Sequence, residues 1–155
     1  MKGKKARKWL IPVIAILLLL HLCSPKKGSI PLRQERDQIK SIELIHNPDG
    51  ADNLKFVPFF QIGQEEWDAF LDDLQAQEAI WLFNDPSTGF GELIVCITYQ
   101  NGDMDLIGYE NNAAVVDGKV DFENWYFDNM KFKELFEHYA GDAMPEGVFP
   151  WLEDE

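Results

Sequence analysis

The sequence predicts an α+β domain: an antiparallel sheet with two amphipathic helices packed on one face, preceded by an N-terminal transmembrane or signal helix. Three observations lead there. Short β-rich runs separated by turn residues recur between residues 39 and 127, two stretches repeat apolar residues at helical spacing, and residues 9–20 carry no charge. With 155 residues, 46% of them hydrophobic and 13% aromatic, the chain has apolar surface for one core but not for two folded domains. Wholly disordered, collagen-like and disulfide-dense classes are excluded by the same figures.

The chain divides into a membrane anchor or signal segment (1–25), a tether (26–38) and a single acidic domain (39–155). Lys2, Lys4, Lys5, Arg7 and Lys8 precede the apolar run from Trp9 to Leu20, which is the layout of a signal segment. Cleavage after Ser24 would place Leu22 where a small residue belongs and Pro25 just past the cut. The run Leu20-His21-Leu22-Cys23 is similar to a bacterial lipobox, with Leu22 again out of place, so Cys23 is the candidate for lipidation. Left uncleaved, residues 9–25 give roughly 25 Å of helix against a hydrocarbon core of about 30 Å. More bases lie before Trp9 than between Leu20 and Arg33, which keeps the N-terminus in the cytoplasm and puts the acidic body outside. The polar stretch from Lys26 to Gln38, with Gly28 and Pro31, shows no apolar period and reads as a tether.

The domain opens with a strand at 40–46, where Ile42 and Leu44 alternate to one side, and a turn follows at Asn47-Pro48-Asp49-Gly50. A second strand at 54–60 contains Pro58, which confines it to an edge or a bulge. The first helix runs over 64–79, since Trp67, Phe70, Leu71 and Leu74 share one stripe and Glu65 and Glu66 complement its N-terminal dipole. Strands follow at 80–83, 92–99 and 104–109. Asn101-Gly102 joins the last two, and both residues tolerate the positive φ of a type I′ hairpin turn. A further pair, 113–116 and 120–127, turns at Asp117-Gly118. The second helix starts from Asp128 as N-cap, presents Phe132, Leu135, Phe136 and Tyr139, and stops near Gly141. The tail from Met144 to Leu152, with Phe149 and Trp151, packs back as an extended segment. Each helix offers one apolar stripe, so the sheet's other face is left wet or available to a partner.

The charge of the chain is −13, but it is unevenly placed. Residues 1–33 hold eight bases and no acid, while the remaining six bases and all 27 acids leave residues 34–155 at −21. A field of that sign repels nucleic acid and anionic lipid and attracts basic proteins. The motifs of catalysis are missing. His21, His46 and His138 stand in no HExxH or CxxC context, and Ser41 and Ser87 stand in no GxSxG, so no metal, cofactor or nucleophile is expected. Cys96 in an apolar strand reads as a buried thiol. The stretch 117–123 lacks the ligand order of a calcium loop, and the glycine-bearing loop 85–91 leads into a strand where a phosphate loop would lead into a helix. Asp72 with Asp73, Asp103 with Asp105, and Asp121 with Glu123 are the carboxylate pairs that a glycosidase-type mechanism would draw on. As solvated faces, these acids and the tryptophans with acidic neighbours mark a partner-binding surface: Trp125, Trp151, Asp103, Asp105, Asp121 and Glu123.

Tyr99, Asn101 and Gly102, followed by Tyr126, Phe127, Asp128, Phe132, Leu135 and Tyr139, make a hairpin and helix start that resemble small membrane-anchored or lipoprotein domains of Gram-positive bacteria. The resemblance covers about residues 80–140, and its motifs are structural. It implies topology and location, and no activity.

The expectation is therefore a non-enzymatic, membrane-anchored extracytoplasmic domain that recruits a basic protein partner, an immunity-like or inhibitor role included. A surface hydrolase of wall sugar or peptide, acting through a carboxylate pair, is the alternative.

Overall fold

The computed structural model describes residues 11–14, 24, 26–48, 56–81 and 89–148. Among them the order is β1 (Lys26–Gly28), β2 (Ile39–His46), β3 (Val57–Gln61), α1 (Trp67–Ala76), β4 (Ala79–Trp81), β5 (Leu93–Tyr99), β6 (Met104–Gly108), β7 (Asn112–Val116), β8 (Lys119–Glu123), β9 (Trp125–Phe127) and α2 (Asn129–Ala140). The class is α+β, as the periodicities predict. One sheet was expected and two are formed: a six-stranded sheet in the order β3-β2-β5-β6-β7-β8 and a three-stranded sheet in the order β1-β4-β9, every neighbouring pair antiparallel.

The split arises because the run expected as one strand over 120–127 breaks at Asn124. β8 stays on β7, while β9 pairs with β4 through Ala79↔Phe127, Ile80↔Tyr126 and Trp81↔Trp125. A single backbone bond from Phe127 N–H to the Tyr109 carbonyl, 2.9 Å, then ties β9 to the end of β6. Pro58 sits where its missing N–H costs least, on the edge strand β3 and opposite an irregularity between Leu44 and Ile45.

Strand alternation sorts the core. Ile42 and Leu44 of β2, Leu93, Val95, Ile97 and Tyr99 of β5, and Ile107 of β6 form one buried cluster with Phe70, Leu71 and Leu74 of α1 and Phe132, Leu135, Phe136 and Ala140 of α2. The helices touch each other through the edge-to-face pair Phe70–Tyr139, centroids 4.9 Å apart, and the Tyr139 hydroxyl donates to Asp73 Oδ2 at 2.7 Å. Asp128 caps α2 as expected, its Oδ1 accepting from Lys131 N–H at 3.2 Å.

The opposite face of the large sheet is partly roofed. Ile45, Ile94, Cys96, Leu106 and Ala113 form a second cluster under Phe90, with Phe56 packed against it. Phe90 reaches Phe56 edge-to-face at 6.0 Å and lies 5.6 Å from Phe122. Its approach requires two glycines, one beneath the Phe90 backbone and one beneath the Tyr109 ring. A Cβ on Gly108 would lie 2.0 Å from the Phe90 carbonyl oxygen, and a Cβ on Gly91, at φ +83°, would lie 2.2 Å from the Tyr109 ring.

Two expectations are corrected. The type I′ turn lies at Asp117-Gly118, with φ of 50° and 73°, between the paired Val116 and Lys119. At Asn101-Gly102 only the glycine has positive φ. Its N–H bonds the Tyr99 carbonyl while Tyr99 N–H bonds the Asp103 carbonyl, so Gln100, Asn101 and Gly102 form a three-residue loop. Nor are residues 26–38 a tether: β1 pairs with β4, Ile30 is buried in the main core, Leu32 packs on it, and Arg33 is ion-paired to the sheet.

The expected anchor, residues 9–25, lies almost wholly outside the described residues, where 11–14 are helical and exposed. Among the described residues no helix is long and apolar enough to cross a membrane. Residues 149–152 of the expected tail also lie outside, while Val148 is buried in the main core.

Candidate functional site

The cross-strand registers Asp105↔Ala114↔Asp121 and Ile107↔Asn112↔Glu123 place Asp105, Asp121 and Glu123 on the helix side of the large sheet. The chain's own N-terminal segment closes over two of them. Arg33 reaches Glu123 Oε1 with Nη2 at 2.5 Å and Asp105 Oδ1 with Nε at 3.5 Å, and its backbone N–H donates to Asp105 Oδ2 at 3.2 Å. The Tyr99 hydroxyl donates to the same Oδ2 at 2.5 Å, and Asn112 Nδ2 donates to Glu123 Oε2 at 3.4 Å.

Asp105, expected on a partner-binding surface, is instead buried, being 5% exposed. Burial raises its carboxyl above the usual range, against the hydrogen bonds from Tyr99 and Arg33, and burial with the Asp105 contact raises the Tyr99 hydroxyl as well. Asp103 is also engaged, accepting from Gln34 Nε2 at 3.1 Å and Asn101 Nδ2 at 2.7 Å. Asp121 is exposed on β8. Trp125 is half-buried against the main core and borders Gly28 of β1. Cys23 and Trp151 lie outside the described residues.

The other side of the same strands is apolar. Met104, Val115, Val120 and Phe122 follow one another across β6, β7 and β8 through the registers Met104↔Val115↔Val120 and Ala113↔Phe122. Val120 is 54% exposed and Phe122 39%. This apolar strip runs from the Phe90 roof to the edge of the sheet, where β8 has no neighbour beyond it among the described residues. Sequence reasoning passed over these four residues while attending to the acids between them. The alternation Lys119-Val120-Asp121-Phe122-Glu123 is the signal that marks a strand with one apolar side and one charged side.

The carboxylate pairs are spoken for in other ways too. Asp72 pairs with Arg36 at 2.6 Å, Asp68 with the same guanidinium at 3.3 Å, and Asp73 accepts from Tyr139. A groove of about 420 Å³ lies between this Arg36 cluster and Trp67, whose indole N–H is already donated to the Ile62 carbonyl at 3.1 Å. Cys96 is buried beside Thr98, and burial pushes its thiol up, away from the reactive thiolate. Burial lowers the His46 imidazole, and His138 lies on the exposed side of α2. Residues 85–88 of the glycine-bearing loop lie outside the described residues, and its end is the Phe90–Gly91 seat on β6.

No protein-family model matches the chain, and neither a curated protein nor a solved structure does.

Proposed function

We propose that the protein is a non-enzymatic binding domain, held by residues 9–25 on the outer side of a cell membrane, that recruits a basic protein partner. One observation carries this reading: a partly bare apolar strip ending in exposed Val120 and Phe122, on a body that holds −21 from residue 34 onward. Apolar contact of this kind supplies affinity, and the surrounding field supplies rate and partner choice. Neutralising a cationic toxin or enzyme at the envelope is one form such recruitment takes. Nucleic acid is disfavoured by the same field.

The test is capture of envelope proteins by the full chain in detergent at about 0.05 M and about 0.5 M salt, between which the Debye length falls from roughly 14 to roughly 4 Å. The expected result is a basic protein retained at low salt and released at high salt. Retention of acidic proteins, or of none, overturns recruitment and brings the wall hydrolase forward. The outside location is checked separately: protease added to intact cells is expected to digest the body, and its survival beside a digested surface control overturns the location.

A further inference from the structure

We infer that the partner contributes a basic, extended segment that adds to the outer edge of β8 as a seventh strand of the large sheet. This rests on the recruitment reading and specifies its mode.

The two edges of that sheet are treated differently. At β3, Pro58 and the irregularity opposite Leu44 and Ile45 interrupt the pattern a new strand would need. β8 has no proline and keeps five consecutive register pairs with β7 without a shift. Its outward hydrogen-bonding groups follow from the turn. A two-residue type I′ turn makes Val116 and Lys119 a hydrogen-bonded pair, so by antiparallel alternation the N–H groups of Val120 and Phe122 point away from β7. The same two residues bear the exposed apolar side chains, while Asp121 is exposed on the opposite face. A strand laid along this edge finds main-chain partners, an apolar side at Val120 and Phe122, and a charged side where Asp121 follows the exposed Lys119 and precedes Glu123, itself held by Arg33. Alternating apolar and basic residues match it.

Charge decides the occupant. A second copy pairing two-fold on β8 in the register that sets Lys119 against Glu123 would gain little from those pairs, since Arg33 already holds Glu123, while it would set Asp121 against Asp121 and bring two strongly acidic bodies together. A basic segment relieves both repulsions.

The probe is an octapeptide of alternating lysine and valine, titrated into the isotopically labelled full chain in neutral detergent, with amide hydrogen exchange read at Val120 and Phe122. Both amides are expected to exchange fast alone and to become protected on addition. Val120→Pro removes one outward donor and leaves the β7 ladder intact. It is expected to weaken the peptide about tenfold, one main-chain hydrogen bond's worth, whereas Val120→Ile, which keeps both the N–H and a β-branched apolar side chain, binds it as the native chain does. Asp121→Lys is expected to shift preference toward a glutamate–valine peptide. Protection of both amides before any peptide is added, by the chain's own tail or a second copy, overturns the inference. So does equal binding of the two peptides to the native chain. If Val120→Pro binds the lysine peptide unchanged while the native chain still captures a basic protein salt-sensitively, strand addition falls and recruitment stands. Failure of that capture removes recruitment itself.

Discussion

Gly108→Ala is expected to lower stability by about 3 kcal/mol, the upper part of the range for overfilling a packed site. The new methyl would sit 2.0 Å from the Phe90 carbonyl oxygen and 2.8 Å from its carbonyl carbon, so backbone has to move. Phe90 cannot retreat alone, because the adjoining Gly91 lies against the Tyr109 ring and Tyr109 belongs to the main core. Displacement would uncover Ile45, Ile94, Cys96, Leu106 and Ala113 together. With a urea slope of ~2 kcal/mol per molar, the midpoint should fall by more than ~1 M. A midpoint within ~0.3 M of the native chain would mean that the roof over the second face is not seated on β6.

Asp105→Ala is expected to cost about 2–3 kcal/mol, because the Tyr99 hydroxyl loses its acceptor in a buried position and Arg33 loses one of its two carboxylates. Asp105→Asn preserves an acceptor and should cost less. Its pH dependence separates burial from pairing. Burial raises the Asp105 carboxyl above its ordinary value of about 3.9, so the folded state keeps the proton to higher pH than the unfolded chain does. From that ordinary value up to the raised one, the native protein therefore loses stability as pH rises. Asp105→Asn lacks this slope, so the gap in urea midpoint between the two is expected to narrow as pH increases through the window. A gap that widens would show that the Arg33 pairing outweighs burial.

Much of the architecture was legible in local pattern. The stripe Trp67, Phe70, Leu71, Leu74 and the cap at Asp128 placed both helices, and Pro58 placed β3 at an edge, because these signals act over one or two turns of chain. What sequence did not disclose depends on partners far along it. Lys26 to Gly28 have no apolar period of their own and become a strand only because β4 offers an edge, and Ile30 and Arg33 find their places through contacts with distant residues. Asp105 has the composition signal of a surface acid and is buried. It stands two residues from Ile107 on one strand, and that parity already puts it on the helix-covered face. Asn101-Gly102 is the stronger type I′ dipeptide, yet one additional loop residue there changes the turn class, while the two-residue loop at Asp117-Gly118 takes the I′ geometry in its own hairpin.

The docking of the N-terminal segment also sets how far the proposed anchor would let the domain travel. A free stretch the length of residues 26–38 would be a leash with a root-mean-square span of ~20 Å. With β1 locked to β4 from Lys26 onward, that leash has no slack. A body held at residue 25 would stay close to the lipid, scanning by lateral diffusion and meeting only partners that come within about its own diameter of the membrane surface.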